Sequence, residues 1–261
     1  MMRYRLLFMI LPLLGWVQVR AQLNESDTAS LQIRVSLAGN YQKGNVQILT
    51  LRGKLDGLWA PHPNWVFKSQ NNSLYQAFAS VKADNDLFSR NFLYYKPQHR
   101  VYPFAIAYIS GNYRRKIDLR LFAGAGVTWQ VLNKPRQVIK LSANAVYETS
   151  RFKGTVYNDV GYNGIDKIDL WRGTLFLGGW HYPVARTALR LYYDAYWQPA
   201  FGKANNYRTQ FDVGADLPIW KGLSFNVLYT FTHEQVTIAT VKREDKILTF
   251  GLAYNLKRKH T

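Results

Sequence analysis

The sequence predicts an all-β fold: a transmembrane, antiparallel, up-and-down β-barrel of about 12 strands behind a cleaved signal peptide. Three observations carry that expectation: an export leader, period-two alternation repeated along the chain, and connections that alternate in kind.

The leader is Met1 to Gln22. Arg3 and Arg5 make it positive, Leu6 to Val17 is apolar but interrupted by Pro12, and Val19-Arg20-Ala21 sets small residues at positions -3 and -1 of a cleavage site. The apolar run falls short of the ~20 residues of a spanning helix. Residues 1–21 are therefore expected to be a secretory signal, and the rest to be exported through the inner membrane. With no cysteine in 261 residues, neither a disulfide nor a lipid-modified cysteine can hold the chain. The net charge of +18 falls by three with Arg3, Arg5 and Arg20 and stays strongly basic. An anionic neighbour is implied, and for an exported protein that means lipid phosphates or acidic polysaccharide, with no nucleic acid.

After a short periplasmic segment, 22–29, the first strand spans 30–40, with Leu31, Ile33, Val35 and Leu37 opposite Gln32, Arg34, Ser36 and Ala38. The second, 46–58, sets Leu49, Leu51 and Leu55 against Thr50, Arg52 and Lys54. Strands over 65–77, 86–96 and 102–112 follow. The sixth, 117–131, alternates Leu119, Leu121, Ala123, Ala125, Val127 and Trp129 with Asp118, Arg120, Gly124, Gly126, Thr128 and Gln130. The seventh, 137–150, carries Ile139, Leu141, Ala143, Ala145 and Tyr147; the eighth covers 168–181; the ninth, 186–198, carries Leu189, Leu191, Tyr193, Ala195 and Trp197. The tenth (206–217) and eleventh (223–234) repeat the pattern with Phe211, Val213 and Ala215, then Phe225, Val227 and Tyr229. The twelfth, 244–256, is the clearest, with Leu248, Phe250, Leu252, Tyr254 and Leu256 on one face. Residues 257–261 are left as a basic periplasmic tail.

Many of these segments reach the 9 to 11 residues of a tilted membrane strand rather than the ~5–6 of a soluble sheet. Their polar face mixes small residues with charges of both signs, as a confined lumen requires. Five short connections carry proline (Pro61 and Pro63, Pro97, Pro135, Pro183, Pro218), and the longest others are Arg151 to Lys167 and Glu234 to Glu244. Short turns with Trp59, Trp65, Trp129, Trp180 and Trp220 beside them read as the periplasmic side with its aromatic girdle.

Leu37-Ala38-Gly39-Asn40 through Lys43-Gly44-Asn45, Ala123 to Val127, Tyr147-Glu148-Thr149-Ser150-Arg151-Phe152, Leu217 to Ser224 and Gly251 to Leu256 together resemble the family called domain of unknown function 481. The resemblance covers roughly residues 30 to 256. It implies a β-barrel in the bacterial cell outer membrane, in a family with some members labelled salt-induced, and a need for the barrel assembly machinery as partner. It implies no established activity. Such barrels usually finish on the aromatic or apolar end of the last strand, whereas this chain continues through Lys257 to Thr261.

Parity sends Arg34, Arg52, Lys54, Lys68, Arg90, Arg120, Lys140, Arg172, Arg190 and Arg208 into the lumen with Asp56, Asp118, Glu148, Asp194, Asp212, Asp216 and Glu234. Two uses are open: a pore lining or small-anion site, or cross-lumen salt bridges that fill a narrow barrel. Glu148 near Arg151 and the neighbouring Asp194 and Asp212 are the carboxylates of interest, with ion pairing favoured over acid and base work. His62, His99, His181 and His260 lie at the periplasmic side and His233 turns toward lipid, so no catalytic residues, cofactor or metal ligands are assigned. Lys82, Arg114 to Lys116, Arg151, Lys153, Lys203, Lys242 and Arg243 are expected in outer loops, where they could meet lipid or lipopolysaccharide phosphates. Tyr157 to Gly164 reads as a mobile turn region. The expected function is a narrow or closed pore or envelope protein with a charge-paired lumen; a structural or lipopolysaccharide-binding barrel and a lipid-modifying enzyme are the alternatives.

Overall fold

The computed structural model describes residues 23–27, 29–43, 47–184 and 187–259; the leader expected over 1–21 lies outside them. Twelve strands form one closed barrel: β1 (Ala29–Gln42), β2 (Ile48–His62), β3 (Trp65–Phe78), β4 (Val81–Tyr95), β5 (Val101–Asn112), β6 (Ile117–Lys134), β7 (Gln137–Phe152), β8 (Lys167–His181), β9 (Arg190–Ala200), β10 (Lys203–Trp220), β11 (Leu223–Glu234) and β12 (Glu244–Lys259). Each strand pairs antiparallel with its neighbours in sequence, and β1 closes on β12. The order is thus up-and-down, and an even count returns both ends of the barrel chain to one rim, called here the terminal end; the other is the loop end.

Alternation decides the faces. Leu37, Leu51, Leu121, Leu141, Leu175, Phe211 and Leu252 are exposed on the outside, while Arg34, Arg120, Glu148, Arg172, Arg190, Arg208 and Asp216 are buried inside. That is the inverse of a soluble domain, and only an apolar solvent makes such an exterior favourable. Trp59, Trp65, Trp129 and Trp220 stand exposed at the terminal end, with Lys96 over the Tyr95 ring and Arg100 over Trp129. Trp171, packed edge-on to Tyr147, stands exposed nearer the loop end, with Trp197 on β9.

Several sequence expectations need correction. Trp180 does not join the girdle, because Val138 and Tyr192 flank it on the adjacent strands and its side chain lines the lumen. Its position after the Gly178-Gly179 pair hid the inward parity. Pro218 lies inside β10 rather than in a turn; the register shifts between Pro218 and Trp220, since proline has no ladder donor, and Lys221-Gly222 make the turn. Asp118 also leaves the lumen. The register shift between Ile117 and Leu119 turns it outward at the loop end, half-exposed and 3.3 Å from Lys153. Lys82 and Lys203 belong to strands, and β12 continues through Lys259, with Lys257 and Arg258 pairing with β1. They are not a tail.

Short turns are not confined to one end. On the loop end, β3 and β4 are joined by Ala79-Ser80, both at positive φ (46° and 64°), the backbone of a tight hairpin turn. Tyr157 to Gly164 is pinned rather than mobile: Tyr157 bridges Ile238, Asn158 N–H donates to Thr237 O (3.0 Å), and Thr237 N–H donates to Asn158 Oδ1 (2.9 Å). Phe152, Tyr157, Tyr162, Ile168, Val236 and Ile238 form a core between the two long loops at that end.

Inward glycines concentrate the curvature. A Cβ on Gly124 would lie 2.0 Å from Ala145 O, on Gly126 2.3 Å from Ala143 O, and on Gly251 2.3 Å from Leu37 O. These tight bends are on β6 and β12, six strands apart, where only glycine lets adjacent backbones approach so closely.

The lumen as candidate functional site

Of the seventeen charges that parity sends inward, Asp118 turns outward, while Arg34, Arg52, Lys54, Arg120, Glu148, Arg190, Asp194, Arg208 and Asp212 project into the lumen, where their surroundings sort them into layers. At the loop end, Glu148 is fully buried on β7. Its Oε2 accepts from Arg208 (2.5 Å) on β10 and from Arg172 (3.2 Å) on β8, and its Oε1 accepts from Ser150 Oγ, which in turn accepts from Arg120 Nε on β6. Glu234 on β11 pairs with Arg120 and, at 3.0 Å, with Arg115. Arg115 continues to Asp245 on β12 (2.7 Å), and Arg114 links Asp245 to Asp84. This network ties β4, β6, β7, β8, β10, β11 and β12 to one another across the opening. Arg151, expected beside Glu148, points away and is exposed.

A second cluster sits near the terminal end. Asp216 on β10 accepts from Arg34 (2.9 and 3.2 Å), from Arg190 (2.5 Å) and from Asn226 (2.8 Å). Gly214 makes room for it: a Cβ there would lie 2.1 Å from the Tyr192 ring, whose hydroxyl accepts from Asn226 at 2.7 Å. Arg34 and Arg190 lie over that same ring.

The terminal end is also filled from within. Residues 23–27, expected to be a periplasmic extension, turn into the barrel mouth. Leu23 and Glu25 are buried, and Glu25 Oε1 accepts from Lys140 Nζ (2.9 Å) and Tyr102 OH (2.8 Å), with Lys68 Nζ 3.4 Å from Oε2. Lys140 also donates to Asn24 Oδ1 (2.7 Å), and Asp27 pairs with Lys257. Burial alone would raise the Glu25 pKa, but Lys140 and Lys68 outweigh it and hold the carboxyl well below its ordinary range. Nothing in the period-two pattern announces this plug, since a short polar segment before the first strand has no periodicity to read.

Between the layers the charges are spread out. Arg52 donates to Asn72 and Thr249, and Arg90 donates through Nε to Gln70. Asp194 and Asp212 are direct register partners on β9 and β10, four to six strands around the barrel from Arg52, Lys54 and Arg90 on β2 and β4. Among the described residues Lys54 makes no hydrogen bond or ion pair.

The interior is not polar throughout, contrary to the expectation of an apolar outside and a polar inside. Large residues of β4 to β6 point inward: Phe92, Tyr94, Phe104 and Ile106 join a buried core with Leu23 and Val146, and Tyr108 stacks on Phe122 (4.4 Å, 10°), over which Arg208 lies. A cavity of about 160 Å³ remains between this aromatic wall, the plug and the Glu148 cluster.

Comparison with known proteins gives a family match over residues 35–256 to the family described as protein of unknown function, DUF481. No curated protein matches the chain. Among solved structures the chain is similar to the translocator domain of the autotransporter NalP from Neisseria meningitidis, at 10% identity over 87% of this chain and 89% of that one, TM-score 0.46. It is similar to an outer membrane channel from Pseudomonas putida F1, at 13% identity over 90% and 100%, TM-score 0.46, and to the NanC porin, at 9% over 88% and 100%, TM-score 0.45.

Proposed function

We propose, for a chain that belongs to the DUF481 family and takes no activity from that description, an outer-membrane β-barrel whose lumen is held closed by cross-lumen ion pairs. It is an envelope barrel rather than an open pore. The observation that carries this reading is the Glu148 cluster: one buried carboxylate shared by arginines from three other strands, next to Glu234, which holds two. Breaking a buried pair by removing one partner costs ~3–5 kcal/mol, and a solute crossing the loop end would have to part several such contacts together. The plug at the terminal end adds a second barrier. The apolar exterior with aromatic residues toward both ends supports the membrane location. Exposed Arg151, Lys153, Lys203, Lys242 and Arg243 at the loop end supply cations at the height of lipid phosphates, so anionic outer-membrane lipid, including lipopolysaccharide, is the partner this rim fits.

Two experiments test the reading. Single cysteines at Gly161 and Asn133 in otherwise cysteine-free protein report orientation through an impermeant thiol reagent on intact cells. Labelling at Gly161 alone is expected, and recovery of unlabelled protein in the soluble periplasm would refute membrane insertion. Planar-bilayer recording of the purified chain is expected to show no steady conductance. Stable single-channel steps from the unaltered protein would refute closure and make the lumen charges a selectivity lining.

A further inference from the structure

The cavity between the plug and the Glu148 cluster is built largely from charged side chains that pair with one another and from aromatic rings. Glu25, Lys68 and Lys140 satisfy one another at one end, and Arg120 and Arg208 are held by Glu148 and Glu234 at the other. On the walls Thr128 bonds Ser142 (2.8 Å), Thr174 accepts from Gln198 (2.8 Å) and Gln210 donates to Asp212 (2.9 Å). Several polar groups lining the same cavity have no hydrogen-bond partner among the described residues, including the hydroxyls of Tyr94, Tyr108 and Tyr196 and the Trp180 indole N–H, and three more bear on what the cavity could hold. Arg90 spends only its Nε, on Gln70 (3.2 Å), with the guanidinium resting over the Phe92 ring at 5.8 Å, so its two terminal nitrogens keep their donors. Asp194 makes no hydrogen bond among the described residues. The Asn144 Oδ1 is buried without a donor.

The backbone makes room for one of them. Asp194 lies against Gly178 on β8, where an added Cβ would come within 2.8 Å of both Asp194 Oδ1 and the Phe176 ring. Most of the remaining apolar surface is aromatic, with Phe88, Phe92, Phe104, Tyr108, Phe122 and Tyr196 the main contributors. A buried acceptor without a donor is costly, and a free guanidinium edge is shaped for a carboxylate. The volume suits one small body, since a cavity of ~150 Å³ holds a benzene ring.

From this inventory we infer that the cavity is a binding site for a small zwitterion with an apolar body, of the α-amino acid type. The carboxylate of the ligand takes the Arg90 terminal nitrogens, its ammonium donates to Asp194 with Asn144 Oδ1 as the spare acceptor, and its apolar group lies on the aromatic wall. A ligand with only one charge leaves either Arg90 or Asp194 unsatisfied, which is where selectivity arises. Binding of this kind does not depend on whether the barrel conducts, so the two readings stand or fall separately.

The test is calorimetric titration of the purified full chain in detergent micelles with four probes: phenylalanine, 3-phenylpropionate (no ammonium), phenethylamine (no carboxylate) and glycine (no apolar body). Phenylalanine is expected to bind at least about tenfold more tightly than each of the others. Arg90→Gln should erase the preference over phenethylamine, Asp194→Asn the preference over 3-phenylpropionate, and Gly178→Ala should weaken phenylalanine by crowding Asp194. Heat-modifiability on gels shows which variants fold, and where one does not, the probe ranking on the unaltered chain decides. No phenylalanine binding at millimolar concentration, or equal or tighter binding of either single-charge probe, overturns the inference.

Discussion

Replacing Glu148 with glutamine keeps the shape of the loop-end cluster and removes its charge. Glu148 is 1% exposed in its side chain, so water cannot take over. Arg120 keeps Glu234 as countercharge. Arg172 is left with Asn206 and carbonyl acceptors, and Arg208 with Gln198 alone. Two buried guanidinium groups thereby lose their only carboxylate, in a class of change that costs ~3–5 kcal/mol. For a chain of this size each kcal/mol moves the melting midpoint by about 2–4 °C, so a drop on the order of 10 °C is expected. The readout is the temperature at which the folded barrel converts to its slower-migrating denatured form on gels. Adding Arg208→Gln removes one stranded cation, so the double variant should recover part of the loss, a coupling that independent sites do not show. A single variant melting within about 2 °C of the parent, or a double variant no better than the single, would refute the account of Glu148 as the closing staple.

Chains retaining Trp220 alone or Trp180 alone should behave oppositely in vesicles of headgroup-brominated lipid: Trp220 quenched and Trp180, inside the lumen, not. Gly124→Ala places a Cβ 2.0 Å from a backbone oxygen and should abolish the heat-modifiable barrel, whereas Gly57→Ala, with nothing within 4 Å, should be silent. For the plug, the folded Glu25 pKa is depressed, so its contribution is complete above the unfolded carboxylate value of ~4.3 and is lost only as pH falls through the lower folded value. Amide exchange of residues 23–27, corrected for intrinsic rate, should therefore stay slow from neutral pH to about 4 and quicken in stronger acid; quickening already at pH 6 would contradict the Lys140 and Lys68 pairing. Lys140→Gln should speed that exchange at neutral pH.

Period-two alternation is a local property, which is why strand number and the faces of β1, β2, β6, β7 and β10 to β12 could be read directly: on those strands one set of alternate residues is apolar and the other polar or small. On β5 both sets are apolar, Tyr102, Phe104, Ile106 and Tyr108 against Val101, Ala105, Ala107 and Ile109, so polarity is silent and the inward aromatic wall went unseen. Only the difference in size hinted at it, with the bulky set turned into the barrel. Register shifts did the remaining damage locally, turning Asp118 outward and leaving Pro218 inside a strand.

By itself, then, the sequence determined the barrel, its strand count, most of its outer face and most of the strand charges that enter the lumen, because each follows from neighbours two residues apart. Which charge meets which was decided only by closure, since Glu148 and Arg208 stand 60 residues apart and Glu25 and Lys140 stand 115 apart. The same holds for the plug and the cavity. Partners across a lumen are set by barrel diameter, stagger and strand curvature, and those quantities exist only once the last strand has paired with the first.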